Sequence, residues 1–231
     1  MSDFETTVSK KARRIAQILQ RYVVLDGAAL LDIGTGSGGT AAGLQALGAT
    51  VTAIDRQDTN LTAAGLDFHL VDGTGLPFDD NAFGAVLYSH VIEHVGSRDD
   101  QRHHLSEIRR VLQRDGVLYL AMPNRWSVLE PHYNLPFLSW LPTGIASVYL
   151  RMTRQAPAYD CCPLSRRNMR RLFAETGFEG TEVTGDILDA VLEERLRHSV
   201  FRNIALFLAR CRWLSMPLVP VLVFVAQPIS S

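Results

Sequence analysis

The stretch LDIGTGSGG, residues 31–39, closes an apolar run and can be read in two registers. Gly34, Gly36 and Gly39 spell G-x-G-x-x-G, whereas Asp32 followed by Gly34, Gly36 and Gly38 spells a carboxylate ahead of three alternating glycines. Both registers rest on the same physics. A chain that leaves a buried strand and turns sharply into a helix needs residues without a Cβ, and their backbone N–H groups can approach a ligand closely. The loop marks a nucleotide-type site and leaves its ligand open.

Working outward from the loop, residues 8–23 carry apolar side chains at helical spacing (Ile15, Ile18, Leu19, Tyr22, Val23) and predict a leading helix. AALLDI is a buried strand, Gly39 to Leu47 a helix ended by Gly48, and ATVTAID a second strand ending at Asp55. DFHLVD predicts a third strand ending at Asp72 and AFGAVLYS a fourth; QRHHLSEIRRVLQR is an amphipathic helix and GVLYLAMP a fifth strand. This alternation predicts a Rossmann-like α/β fold, a mostly parallel seven-stranded sheet with helices on both faces. The rhythm breaks at 124–164, where Pro, aromatics and short apolar runs predict a helical cap over the carboxyl edge of the sheet. A helix from Ser165 to Thr176, a strand after Gly177, a long helix from about Ile187 to Trp213 and a last strand, Val219 to Ala226, complete the expectation. One domain is expected over 1–231, divided into a leading helix (1–24), a core (25–123), a cap (124–164) and a closing part (165–231).

With 23 basic and 24 acidic residues and no basic stripe, nucleic acid is not an expected partner. Three cysteines, two of them adjacent, argue against a disulfide framework and for a reducing, cytoplasmic setting. The apolar segment 213–228 is interrupted by Pro217 and Pro220 and is too short to span a bilayer. The basic cluster Arg166, Arg167, Arg170 and Arg171 is read as an exposed helix face. Beside the apolar segments it leaves a peripheral membrane contact open. The chain is expected as a monomer or homodimer.

In an open parallel sheet the ligand sits beyond the carboxyl ends of the strands, so the residues closing them are informative. Asp55 suits vicinal ribose hydroxyls, because a carboxylate accepts two hydrogen bonds, and it does so for either cofactor class. Asp72 stands where an adenine amino group can donate, and Asp32 where the ammonium of a methionine moiety can pair. A nicotinamide pyrophosphate would gain nothing from carboxylates beside the first helix. At this point LLDIGTGSGG, VTAIDR, VDGTGLPFDDNAFGAVLYSHVIEHV and EIRRVLQRDGVLYLAMPN, in this order, resemble the class I S-adenosylmethionine-dependent methyltransferases, in the subgroup containing the ubiquinone-type O-methyltransferases. The resemblance covers residues 25–123. It implies that Asp32, Gly34, Thr35, Gly36 and Gly38 hold the methionine end, Asp55 and Arg56 the ribose, Asp72 and Gly73 the adenine, and that Ser89 and His90 lie near the sulfonium. S-adenosyl-L-homocysteine is then the product. PNRWSVLEPHYNLPFLSWLP also resembles a subset of bacterial methyltransferases found with surface-glycan synthesis.

SHVIEHV carries H-x-x-E-H, a pattern zinc peptidases also use, but here it directly follows a strand and sits on too short a helix. Where the ubiquinone-type relatives have E-x-x-E-H with a divalent metal, His90 replaces the first Glu, and hard cations prefer oxygen ligands. No metal is therefore expected; His90, Glu93 and His94 are the residues that would hold one. His94 or His90 as general base for an acceptor hydroxyl is the catalytic reading, and a purely structural role for Glu93 and His94 is its rival. Arg125, Trp126, His132, Tyr133 and Tyr159 are the candidate substrate residues of the cap, whereas His69, His103, His104 and His198 are read as solvated. The expected activity is methyl transfer from S-adenosylmethionine to an oxygen, or alternatively a nitrogen, of a small-molecule or lipid- or glycan-linked acceptor. The rivals are a non-catalytic module that binds the same nucleoside and a nicotinamide-dependent oxidoreductase.

Overall fold

A computed structural model of the chain describes residues 8–58, 65–195 and 219–229. Ser9 caps α1 (Lys10–Leu19) by accepting from the Ala12 N–H, and the helix buries Ile15, Ala16, Ile18 and Leu19. The strands β1 (Ala29–Ile33), β2 (Thr50–Asp55), β3 (Asp67–Leu70), β4 (Phe83–Ser89), β5 (Leu112–Pro123), β6 (Phe178–Glu182) and β7 (Val221–Pro228) form one seven-stranded sheet. Their order is β3-β2-β1-β4-β5-β7-β6; β1 to β5 pair in parallel, and β7 runs antiparallel to both β5 and β6.

Side chains alternating along the central strands supply two cores, as a sheet covered on both faces requires. Leu31, Ile33, Val86, Tyr88 and Leu120 face α3 (Arg98–Val111) and α5 (Arg166–Glu175). Leu30, Ala85, Leu87, Val117 and Tyr119 face α1 and α2 (Gly39–Ala46). A capping box between Ser97 and Asp100 starts α3. The 124–164 segment contains α4 (Thr143–Met152) and a 3-10 turn (Leu138–Trp140), packed around Leu135, Leu138, Ala146 and Leu150. α6 (Thr184–Arg195) follows β6, and the remainder of the helix expected to reach Trp213 lies outside the described residues.

Several boundaries differ from expectation: α3 ends at Val111 and residues 112–114, expected in that helix, open β5, where Leu112 pairs with Phe83 ahead of a register shift. β3 stops at Leu70 on the edge of the sheet, so Asp72 lies in the loop beyond it. His90 to His94 form a single 3-10 turn, Ile92–His94, rather than an α-helix. β7 begins at Val221 because Pro220 has no N–H to donate to a ladder; the carbonyls of Val219 and Pro220 instead accept from Asn124. Among the described residues no helix is long and apolar enough to cross a membrane.

The connection after β1 leads to one side of the sheet while β4 lies on the other, which opens a crevice at their carboxyl ends. Gly34 sits there at φ +69°, and an added Cβ would run into the Val91 side chain. Gly34→Ala is therefore expected to lower unfolding stability by about 2–4 kcal/mol, from left-handed strain plus overpacking, as read by urea denaturation.

Candidate active site

The glycine loop is anchored by β2, with the N–H groups of Gly34 and Thr35 donating to the Ile54 carbonyl at 2.9 and 3.1 Å. Beneath it Asp32 is 3% exposed and accepts from the Thr35 hydroxyl at 2.8 Å. Burial pushes the Asp32 carboxyl up to about 7, against the opposing pull of the Thr35 hydrogen bond and the Lys11 charge. Asp55, closing β2, accepts from the Gly36 N–H at 2.8 Å and the Arg56 N–H at 2.7 Å. Asp72, exposed beyond β3, accepts from the Gly73 N–H at 3.0 Å and from Arg56 Nε at 3.1 Å. Gly38 is buried at the start of α2 in the left-handed conformation. The three carboxylates thus stand at the carboxyl ends of adjacent strands.

A cleft of about 230 Å³ opens beside them, lined by Gly34, Asp55, Arg56, Gly73, His90 and His94 among others. Ser89 instead borders a neighbouring apolar cavity that shares His90 with the cleft. His90 has φ +61°, uncommon for a side chain with a Cβ, and its N–H donates to the Ala121 carbonyl at 2.8 Å. This turn brings His90 Nδ1 to 3.4 Å from Glu93 Oε1.

Glu93 is 1% exposed, and its Oε1 also lies 3.3 Å from His132 Nε2. Burial opposes ionisation of Glu93, but hydrogen bonds from His132 and His90 outweigh it and hold its carboxyl down to about 2. The same bond raises the His132 imidazole from its ordinary value, against the opposing effect of partial burial. Buried Glu130 aims it: Glu130 Oε2 accepts from the N–H groups of His132 and Tyr133, each at 2.8 Å. Among the described residues, His94 Nδ1 in contrast meets Cys161 Sγ and Asp160 Oδ2, each at 3.9 Å.

The ligating atoms of His90, Glu93 and His132, and those of His94, His132 and Cys161, lie within 4.8 Å of one another in each set. Imidazole, thiol and carboxylate donors of this kind suit a zinc-type ion rather than magnesium. The sequence brought His90, Glu93 and His94 together; it did not connect them with His132, Glu130 or Cys161.

His104 was also missed as a site residue. It is buried, lines the cleft and lies 3.0 Å from the Tyr88 hydroxyl, and burial lowers its pKa to about 4, leaving a neutral ring. The spacing of His104 with Gln101, Leu105, Ile108 and Val111 on the inner stripe of α3 is the signal that could have found it. His103 is exposed and meets the Thr74 hydroxyl at 2.9 Å, and His69 is exposed beside Asp67. His198 lies outside the described residues. In the basic cluster, Arg166 and Arg170 reach Glu182 and Arg171 reaches Glu175.

Of the cap residues expected to meet substrate, His132 reaches the histidine cluster. Arg125 and Tyr159 line a separate cavity. Tyr133 donates to Asp160 Oδ1 at 3.0 Å. Trp126 is 52% exposed, and its ring packs against Trp140 at 6.0 Å and lies 5.9 Å beneath the Arg125 guanidinium.

Comparison with known proteins agrees with this geometry. Residues 31–120 match the family model of a methyltransferase domain. A ubiquinone biosynthesis O-methyltransferase of Bartonella tribocorum is 27% identical over 134 residues, 52% of this chain and 52% of that protein. A demethylmenaquinone methyltransferase of Clavibacter sepedonicus is 37% identical over 103 residues, 41% of each chain. The chain therefore aligns with about half the length of the curated relatives it matches. The crystal structure of Burkholderia thailandensis 1,6-didemethyltoxoflavin-N1-methyltransferase, with bound S-adenosylhomocysteine, superposes with a TM-score of 0.57 at 15% identity, covering 96% of this chain and 79% of that one. With that sheet and a family match that spans the carboxylates and the histidine turn, residues 31–120 of this chain resemble a methyltransferase domain, and the chain carries the same fold as the solved neighbour.

Proposed function

We propose that the chain transfers a methyl group from S-adenosylmethionine to an oxygen of a small-molecule acceptor. The observation that carries this reading is Asp32: a carboxylate buried at the foot of a glycine loop with no ion pair among the described residues, the Lys11 charge acting only at range, is poorly solvated until an ammonium group arrives to pair it. S-adenosylmethionine, when bound, supplies a methyl group already activated by positive sulfur. Asp32 then pairs the methionine ammonium, Asp55 with Arg56 meets the ribose hydroxyls, and Asp72 with Gly73 borders the adenine. Alignment is the main contribution such a site makes to a displacement at carbon.

His94 takes the proton from the acceptor oxygen. It lines the cleft and, among the described residues, its Nδ1 contacts lie at 3.9 Å, whereas His132 is engaged by Glu93 at 3.3 Å. Glu93 holds His90 and His132 in place around it.

The test follows from the raised pKa of Asp32. In the ligand-free chain this carboxyl binds a proton below about pH 7, whereas in the unfolded chain it does so only below about 4. The stability contributed by that retained proton is present at acid pH and is lost as pH rises from about 4 through 7. Pairing an ammonium requires the ionised form, so S-adenosylhomocysteine binding below about pH 7 releases a proton, and its Kd rises about fivefold from pH 7 to pH 6. Calorimetry in buffers of different ionisation enthalpy measures both quantities. A heat with NAD and none with the homocysteine compound would favour the oxidoreductase.

A further inference from the structure

A second cavity, of about 220 Å³ and lined in part by Cys161, lies where three helices begin. Gly96, Ser97 and Arg98 bring the start of α3 to it, Pro142 and Thr143 the start of α4, and Asn168 the first turn of α5. Its lining contains two guanidinium groups, Arg98 and Arg125, and no Asp or Glu. Neither arginine has a carboxylate partner among the described residues; Arg125 makes one long hydrogen bond, Nη1 to the Pro163 carbonyl at 3.5 Å, and its guanidinium lies over the Trp126 ring at 5.9 Å.

Two buried polar groups on the same wall are unsatisfied. Tyr159 is 5% exposed and its hydroxyl has no partner, although its N–H is occupied by Ser147. Gln101 is fully buried; its amide nitrogen donates to the Ile92 carbonyl at 2.9 Å while Oε1 stays unpartnered. The start of α4 adds backbone donors, because its N-cap, Pro142, offers no side-chain acceptor. Buried polar groups are nearly always paired, so two orphans in one wall mark the place of a missing partner.

We propose that this cavity is a phosphoryl subsite for the acceptor. Arg98 and Arg125 supply the positive charge, Tyr159 and the first N–H groups of α4 donate to the phosphoryl oxygens, and Gln101 Oε1 accepts from a neighbouring hydroxyl of the same ligand. A carboxylate would leave several of these donors unused. Cys161 lines the cavity and lies 3.9 Å from His94, which lines the cleft, so an acceptor held here by its phosphoryl group brings a nearby oxygen to the proposed base. The link to catalysis rests on the methyl-transfer reading above; the anion site itself does not.

The full chain is titrated by calorimetry with inorganic phosphate and with glycerol 1-phosphate, each with and without S-adenosylhomocysteine. Saturable binding of both probes is expected, weakened at least about tenfold in Arg125→Gln and about threefold in Tyr159→Phe, with the affinity for S-adenosylhomocysteine unchanged in both variants. That unchanged affinity also reports that the variants fold. Wild-type protein that binds S-adenosylhomocysteine but neither phosphate probe overturns the subsite, as does an Arg125→Gln variant that binds phosphate like the wild type. Phosphate binding without S-adenosylhomocysteine binding supports the anion site and overturns the methyl-transfer reading instead. Sedimentation with phosphatidylcholine vesicles, with and without phosphatidic acid, separates the two sources of the group. Arg125-dependent pelleting on phosphatidic acid assigns it to a lipid headgroup, and binding of glycerol 1-phosphate alone assigns it to a soluble phosphate ester.

Discussion

Asp55→Ala is expected to weaken S-adenosylhomocysteine binding about a hundredfold, the effect of removing two hydrogen bonds to a charged acceptor at about 1.5 kcal/mol each. The carboxylate also holds the loop, since its Oδ2 accepts from the Gly36 N–H at 2.8 Å and its Oδ1 from the Arg56 N–H at 2.7 Å. Asp55→Asn separates the two roles. An amide oxygen can still accept from Gly36 but cannot accept from both ribose hydroxyls, so a loss of about tenfold is expected with thermal stability retained. Calorimetry of both variants at pH 7.5, where Asp32 is mostly ionised, is the check. Wild-type affinity in Asp55→Ala would remove Asp55 from the cofactor site.

His94→Ala is expected to lower turnover by about 10²- to 10⁴-fold while leaving S-adenosylhomocysteine affinity within a factor of about two. The rate is measured with labelled S-adenosylmethionine and an acceptor that turns over. Glu93→Gln acts at one remove. Its neutral amide releases His90 and His132, so a smaller fall of about tenfold is expected, together with a downward shift of the His132 titration in the NMR spectrum. A role that was merely structural would leave that titration where it is. Chelation distinguishes the base from a metal, because the same imidazoles, with Cys161, form a set that suits zinc. Activity that survives EDTA supports proton transfer by His94. Activity lost to EDTA and restored by zinc moves the role to the ion, and full turnover in His94→Ala ends the base assignment.

The positions of Asp32, Asp55 and the glycine loop were legible in the sequence because they depend on short-range order. A strand of alternating or wholly apolar residues ends where its pattern ends, and the residue that closes it stands at the carboxyl edge of the sheet. Asp72 was legible to within two residues, the difference coming from an edge strand that the sheet does not extend past Leu70. His104 could be read from its stripe on α3, yet a polar residue on an amphipathic helix is assigned to water unless its partner, here Tyr88, is in view. The helical part of the cap was expected, while its contacts were not.

The sequence by itself determined the α/β alternation, the carboxylates lining the strand ends and the turn that carries His90, Glu93 and His94, since each is written within one strand, helix or loop. Only the tertiary structure decided that His132 meets Glu93 across 39 residues, that Cys161 comes to His94 across 67, and that Arg125 and Tyr159 border one acid-free cavity. The physical reason is that periodicity specifies which face of an element is buried, whereas the meeting of side chains on different loops depends on how an aperiodic cap folds back over the sheet.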